Sequence, residues 1–330
     1  MRFGLFGSAQ AKRGGPDVDS GAGFRDFVEY NVEAEALGFH SSFLVEHHFT
    51  GFGQISASLN LLTWIGARTT TLRLGTAVLV LPWHNPVLLA EQAATLDLLS
   101  GGRFDFGIGK GYRYNEFSGF CVPMEDAEAR FDECLEVMLK AWTSDSPWSH
   151  HGQYWQFDNV VVEPPTAQKP HPPLWMGAGS PGSIKKVAAH GYNLLLGQFS
   201  SLAQIAEQIA LFKSEVESLG RTFDPMSVGV TRSLNVVMTA AEYAKAIETR
   251  MAGRRRVDRL LRRPDQARVM SDDEVREVAE GGTLYGTPDE IATKLQALRD
   301  VGAEYVLLNS AGGPPSLRRF AHEIMPAFVG

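Results

Sequence analysis

Two cysteines in 330 residues, Cys121 and Cys134, set the first limit. They are too few for a disulfide framework and too isolated for a zinc site, so no metal is expected and a reducing compartment is. An excess of basic charge is also missing. The chain has 31 Lys and Arg against 38 Asp and Glu, a net charge of −7, with the signs interspersed. Nucleic-acid binding needs a basic face, so that class is set aside. No apolar run reaches the ~18 residues that would suggest a membrane span. The run from Met1 to Gly7 has one basic residue, and Gln10, Lys12 and Arg13 soon interrupt it, unlike a signal peptide. The expectation is a soluble cytoplasmic protein.

What the chain does have is 44% hydrophobic residues, enough for a large core. They fall in short apolar runs separated by helix-like stretches. Strands are expected at Phe3–Phe6, Ser41–Val45, Leu72–Leu81, Arg103–Ile108, Leu174–Met176, Asn193–Leu196, Val228–Met238 and Tyr305–Leu308. Helices are expected from Phe24 (inner stripe Phe27, Val28, Val32, Leu37), from Ser58 to Arg68, from Pro86 to Leu99, from Glu125 to Trp142, and after each later strand. Gln153 to Val162 alternates and is broken by Pro164 and Pro165, an excursion outside the repeat. Fully apolar strands alternating with helices imply a parallel sheet buried on both faces. Eight such units point to an α/β fold of the closed (β/α)₈ kind; a doubly wound sheet is the alternative the pattern leaves open.

Met251 to Gly282 does not fit the repeat. It carries Arg254, Arg255, Arg256, Arg259, Arg262, Arg263 and Arg268, then acids from Asp272 to Glu280. A stretch of this length after the seventh strand is either a solvated insert or an active-site lid.

Three motifs carry chemistry. Val45-Glu46-His47-His48-Phe49-Thr50 leaves the second strand with an acid and two histidines. The end of a barrel strand is where such folds keep their chemistry, and histidine moves protons near neutral pH. Gly177-Ala178-Gly179-Ser180-Pro181-Gly182 follows the fifth strand and matches the dinucleotide fingerprint literally. The acid that fingerprint needs about 20 residues later is absent, since the next strand runs Tyr192 to Gln198. The loop still opens a helix, whose free N–H groups, with Ser180 and Ser183, suit a phosphate. Gly107-Ile108-Gly109-Lys110-Gly111-Tyr112 lets a flat ligand approach the backbone and adds the charge of Lys110. Structural explanations stand beside each: surface or hydrogen-bonded core histidines, a glycine-rich turn with no ligand, and a tight turn.

Val45 to Thr50, together with Arg73-Leu74-Gly75-Thr76-Ala77-Val78, Leu99 to Gly109 and Met176-Gly177-Ala178-Gly179-Ser180, resembles the bacterial luciferase-like flavin monooxygenases. Leu284 to Ile291 is similar to that family's entry into its eighth helix. The resemblance covers nearly the whole chain and is strongest from residue 41 to 110. It implies a single TIM-barrel domain over residues 1–330, with 251–282 as the candidate lid. It also implies reduced FMN and O₂ as co-substrates, and a flavin hydroperoxide that oxidises a small organic molecule. His47 matches the catalytic histidine. Ala77-Val78 matches a non-proline cis peptide behind the flavin ring, Lys110 a phosphate-binding position, and Glu116 an acid near the flavin. Gly179, Ser180 and Ser183 match the phosphate loop. Glu46, Gly109 and Tyr112 fall among the cofactor-binding positions.

Two departures bear on the outcome. Gly109 stands where luciferase has a reactive cysteine, and Gln198 where it has a tryptophan, so light emission and a long-aldehyde substrate do not follow. No second nucleotide site is evident, so a separate reductase is the expected partner. Deazaflavin-dependent hydride transfer and a non-enzymatic flavin-binding role are the alternatives. A homodimer is expected through the helix around Leu61, Leu62 and Trp64 and the one from Pro86 to Leu99, because the former is apolar around much of its circumference.

Overall fold

The computed structural model describes residues 1–261 and 269–329. Strand and helix alternate as the apolar runs require. β1 (Arg2–Gly7) leads to α1 (Ala22–Ala36), and β2 (Ser41–Leu44) to α2 (Ser58–Arg68). β3 (Arg73–Thr76) and the short β4 (Leu79–Val80) lead to α3 (Pro86–Leu99). β5 (Phe104–Gly109) is followed by α4 (Tyr114–Gly119) and α5 (Ala127–Thr143). An antiparallel pair, β6 (Trp148–His151) and β7 (Gln156–Val160), precedes β8 (Leu174–Gly177), α6 (Pro181–His190), β9 (Asn193–Leu196) and α7 (Leu202–Ser218). Then come β10 (Val228–Val236), α8 (Ala240–Leu261), α9 (Asp272–Gly281), β11 (Thr283–Gly286), α10 (Pro288–Asp300), β12 (Tyr305–Ser310) and α11 (Gly313–Arg319).

The main sheet runs β11-β10-β12-β1-β2-β3-β5-β8-β9, and β9 also pairs with β10. That last pairing closes eight strands into a (β/α)₈ barrel, as the alternation predicts. The chain clusters into two compact units whose boundaries fall after β1 and inside α1, β2 and β8.

The first unit comprises Met1–Gly7, Glu33–Phe43 and the chain from Met176 on. β1, β9, β11 and β12 lie parallel to their neighbours, with Phe3 opposite Val306 and Val228 opposite Leu194. Four helices here open on a reciprocal capping box: Ser180 with Ser183, Ser201 with Gln204, Ser271 with Glu274, and Thr287 with Glu290. Each box satisfies two backbone donors that a helix start leaves unpaired. β11 is a strand where helix entry alone was expected. Ser233 to Val236 of β10 pairs with Thr283 to Gly286. The flanking residues from 251 to 261 and 272 to 281 are helical. Ile247, Met251, Val275, Ala279 and Tyr285 form one buried cluster, so this part of the segment is packed rather than merely solvated. Arg262, Arg263, Pro264 and Arg268 lie outside the described residues.

The second unit comprises Ser8–Val32 and Leu44–Trp175. Asn85 caps α3 by accepting from the Leu88 N–H, and Pro86 takes the first turn, where a missing N–H costs nothing. α5 buries Phe131, Leu135, Met138 and Trp142 of the apolar face expected for it, while Leu139 of the same face is half-buried. The stripe expected on α1 is shifted: Val28 is buried, but Asn31 and Ala34 are the most enclosed. The expected third strand is broken. β3 ends at Thr76, the Ala77–Val78 peptide is cis, β4 resumes at Leu79, and Leu81–Trp83 forms a tight turn of helix. The resemblance anticipates that cis peptide; the apolar pattern alone reads straight through it.

Candidate active site

The second unit gathers two buried carboxylates and three histidines around the chain just past the end of β2. Glu46 is 2% exposed. Its Oε1 accepts from His48 Nε2 at 3.0 Å and from His84 Nε2 at 2.7 Å, and its Oε2 accepts from the Val80 N–H at 2.7 Å. Burial pushes this carboxyl up. The hydrogen bonds from His48 and His84, the charge of His84 and the Val80 N–H outweigh it, and the pKa falls to about 2. Glu46 is therefore an anion that ties β4 and the turn before α3 to the strand end.

Glu116 of α4 is the second carboxylate, also 2% exposed. Its Oε1 accepts from His47 Nδ1 at 3.1 Å and from the His48 N–H at 2.9 Å. Arg113 Nη2 lies 3.0 Å from His47 Nε2. A guanidinium only donates, so Nε2 must be the acceptor and the ring proton sits on Nδ1, facing Glu116. His47 is thus neutral with a defined tautomer. Its pKa is lowered, chiefly by burial and further by the charge of Arg113, against the raising hydrogen bond of Glu116. Arg113 is itself 5% exposed, and its Nε and Nη1 have no hydrogen-bond partner among the described residues. Nη1 comes no nearer than 3.9 Å to Glu116.

An aromatic wall flanks the pairs. The His48 ring meets Phe120 edge-on at 4.7 Å and Trp83 at 6.0 Å, and Trp83 meets Phe117 at 4.9 Å. Phe49 is 58% exposed and holds a left-handed backbone, φ 53°. Such a conformation is uncommon for a residue with a side chain.

The half-buried Ala77 and Val78 lie beside β5. A Cβ on Gly107 would sit 1.6 Å from the Thr76 carbonyl oxygen, and one on Gly109 would sit 2.5 Å from Val78 Cγ2. Both positions admit only glycine while the neighbouring segment stays in place. The space a thiol would need at 109 is taken by Val78. Lys110 is exposed and pairs with Glu128 at 3.3 Å, and Tyr112 is exposed with the Arg113 guanidinium 5.9 Å from its ring centre.

In the first unit, Ser180 and Ser183 bond to one another, Oγ to Oγ at 2.9 Å, and Ser180 caps α6. The Gly179 carbonyl accepts from Gln208 Nε2 at 2.9 Å. A cavity of about 210 Å³ is lined by Gly179, Pro181, Ile184, Gln204, Glu207 and Gln208 among others.

Sequence reasoning found His47, Glu46 and Glu116 but not His84 or Arg113. His84 has a weak signal, standing between a strand end and the helix-starting Asn85-Pro86. Arg113 had only its place three residues after Lys110. Their partners lie 38 and 66 positions away along the chain.

In this closed parallel barrel His47, half-buried three residues past β2, is held in a single tautomer. The family model of the luciferase-like monooxygenases matches residues 1–305. The chain belongs to that family and is an oxidoreductase of its flavin-dependent monooxygenase class. It is 26% identical, over 99% of its length and 96% of the relative's, to the oxygenase component of the flavin-dependent trigonelline monooxygenase of Acinetobacter baylyi. It superposes on the monooxygenase RslO1 of Streptomyces bottropensis with a TM-score of 0.84, 26% identity and full coverage of both chains. It is also 24% identical, over 92% of its length and 94% of the relative's, to an F420-dependent glucose-6-phosphate dehydrogenase of Amycolatopsis mediterranei. No helix among the described residues is long and apolar enough to cross a membrane.

Proposed function

We propose that this chain is the oxygenase of a two-component system, taking reduced FMN from a separate reductase and using O₂ to oxidise a small organic substrate. The observation that carries this reading is the neutral His47 fixed between Glu116 and Arg113 in a luciferase-like barrel. The residues suit a flavin. Ala77 and Val78 offer a small apolar surface, and Gly107 and Gly109 keep side chains off it. In the second unit Ala77, Val78, Lys110, Tyr112 and Glu116 are assigned to the cofactor. In the first unit Gly179, Ser180 and Ser183 are assigned to a phosphate, because α6 presents its N-terminus there.

When bound, reduced flavin supplies the electrons that activate O₂. The chain's own part is proton control. Glu116 keeps the His47 proton on Nδ1, so Nε2 is the nitrogen that exchanges a proton with a reacting group. Glu46 holds His48 and His84 in place around it. Phe117, Phe120 and Trp83 restrict water near the pair, which limits unproductive loss of the activated oxygen.

The test is anaerobic binding of reduced FMN followed by O₂, with product analysis over aldehydes, ketones and aromatics. Oxygen-dependent incorporation of one oxygen atom supports the reading. Turnover with reduced F420 and none with reduced FMN would favour the second reading, hydride transfer, which the F420-dependent relative motivates.

We also propose that two copies pair through α2 and α3, in a cytoplasmic enzyme. Leu61, Leu62 and Ile65 are buried, whereas Trp64, Leu88, Leu98 and Leu99 stand exposed on these helices. Light scattering should give twice 36.2 kDa, and Trp64→Arg should return it to 36.2 kDa. A wild-type monomer at micromolar concentration would remove this proposal.

A further inference from the structure

We infer that Arg113 is the receptor for a carboxylate on the organic substrate, and that capturing the carboxylate frees Nε2 of His47. The inference rests on the oxygenase reading above and names the class of molecule oxidised.

Three observations combine. Arg113 is enclosed, 5% exposed, yet makes one side-chain hydrogen bond, through Nη2 to His47. Its Nε and Nη1 are buried without a hydrogen-bond partner among the described residues. A buried charge is normally paired and hydrogen-bonded, because the lost hydration must be replaced. Glu116 does not fill the role. Its Oε1 already serves His47 Nδ1 and the His48 N–H, and it stays 3.9 Å from Nη1. The guanidinium thus has donors to spare and a weak tether.

The chemistry of the fork selects the ligand. A planar carboxylate accepts two parallel N–H bonds from a guanidinium, and such charge-assisted pairs are stronger than a bond to a neutral ring nitrogen. If Nη2 turns to an incoming carboxylate, His47 loses the donor that occupies Nε2. Its Nδ1 stays on Glu116, so the same tautomer now presents an open Nε2. The charged groups facing His47 are Arg113, Glu116 and Glu46. Neutralising Arg113 with an anion removes the one that holds the ring unprotonated, so His47 becomes a better proton acceptor in the same event. Substrate arrival and readiness of the base are then one step. The nearby rings of Phe49, Phe117, Phe120 and Trp83 suit an apolar body behind the carboxylate.

The experiment needs neither turnover nor the reductase, so its failure is separable from failure of the oxygenase reading. Protein labelled with ¹⁵N-histidine is titrated with acetate, hexanoate and benzoate, each beside its neutral amide, and the ring nitrogens are read by NMR. His47 is assigned with His47→Gln. At least one carboxylate should saturate, shift the His47 Nε2 resonance, and bind about tenfold or more tightly than its amide, the loss expected for one charged hydrogen bond. Arg113→Met should abolish that preference, and Arg113→Lys should restore part of it. The inference is overturned if every carboxylate binds no better than its amide, or if the Met variant keeps the preference. It is also overturned if FMN alone, without carboxylate, produces the same Nε2 shift, because the free donors then belong to the cofactor. Should the Met variant fail to fold, the wild-type acid–amide comparison decides by itself.

Discussion

Replacing Glu46 by glutamine separates the buried carboxylate from everything else near it. The side chain keeps its size, but an amide offers one acceptor oxygen where the carboxylate uses two. It can meet the two histidine Nε2 atoms or the Val80 N–H, and its NH₂ must then face the other donors. The pKa falls from 4.5 in the free side chain to about 2 in the fold. At 1.36 kcal/mol per unit, that corresponds to about 3 kcal/mol of stability at neutral pH. The sign follows from the direction of the shift. A carboxyl that is more acidic when folded stabilises fully above its unfolded pKa, and the contribution drains away as pH falls toward the folded value. Urea unfolding of both proteins should therefore differ by about 3 kcal/mol near pH 7 and by only about 1 kcal/mol near pH 3. Equal midpoints near pH 7, or a gap that stays constant down to pH 3, would refute the argument.

Four further outcomes follow. His47→Gln should fold and bind flavin yet lose about 10²–10⁴-fold in product formation, since proton transfer is lost while the packing is kept. In the wild type the acid limb of kcat/KM should lie below pH 6.5, the ordinary histidine value, because burial and Arg113 favour the neutral ring. Gly109→Cys should cost about 1–3 kcal/mol in thermal unfolding, because its Cβ meets Val78 Cγ2 at 2.5 Å, and adding Val78→Ala should recover most of it; a single variant as stable as wild type would show that Val78 yields freely. Ser180→Asp keeps a good N-cap on α6 but puts a negative charge beside the assigned phosphate. FMN titration should weaken at least tenfold with melting unchanged, and unaltered affinity would remove the phosphate assignment.

Much of the barrel was legible because its periodicities are strong. Buried parallel strands read as apolar runs, and Pro86, Ser180 and Ser201 mark helix starts by local chemistry alone. Leu72 to Leu81 is nearly continuously apolar and Ala77-Val78 lies inside its longest apolar run, so nothing in its pattern marks the break there. β11 is four residues long, too short for a period to register, and it exists because the edge of β10 offers it partners. The candidate site divides along the same line. His47 and Glu46 announce themselves at a strand end. What Glu46 does depends on His84 and Val80, and the tautomer of His47 depends on Arg113, and all three come from elsewhere in the chain. Lys110 shows the converse. Its charge and position are plain in sequence, while its pairing with exposed Glu128 is a tertiary fact.

The pairing of β11 with β10 bears on how this barrel varies. Val236, where the chain leaves β10, lies opposite Gly286, the last residue of β11, and the Val237 N–H donates to the Gly286 carbonyl, whereas the chain returns at Thr283, opposite Ser233. The stretch from α8 to α9 is therefore a crossover between two parallel strands, leaving beyond Val236 and returning at Thr283, three residues back along the ladder. The ladder fixes both ends of that crossover, and the entropy of closing it grows only slowly with the length between them. This stretch can be lengthened, shortened or exchanged as a cassette while the eight-stranded frame keeps its register.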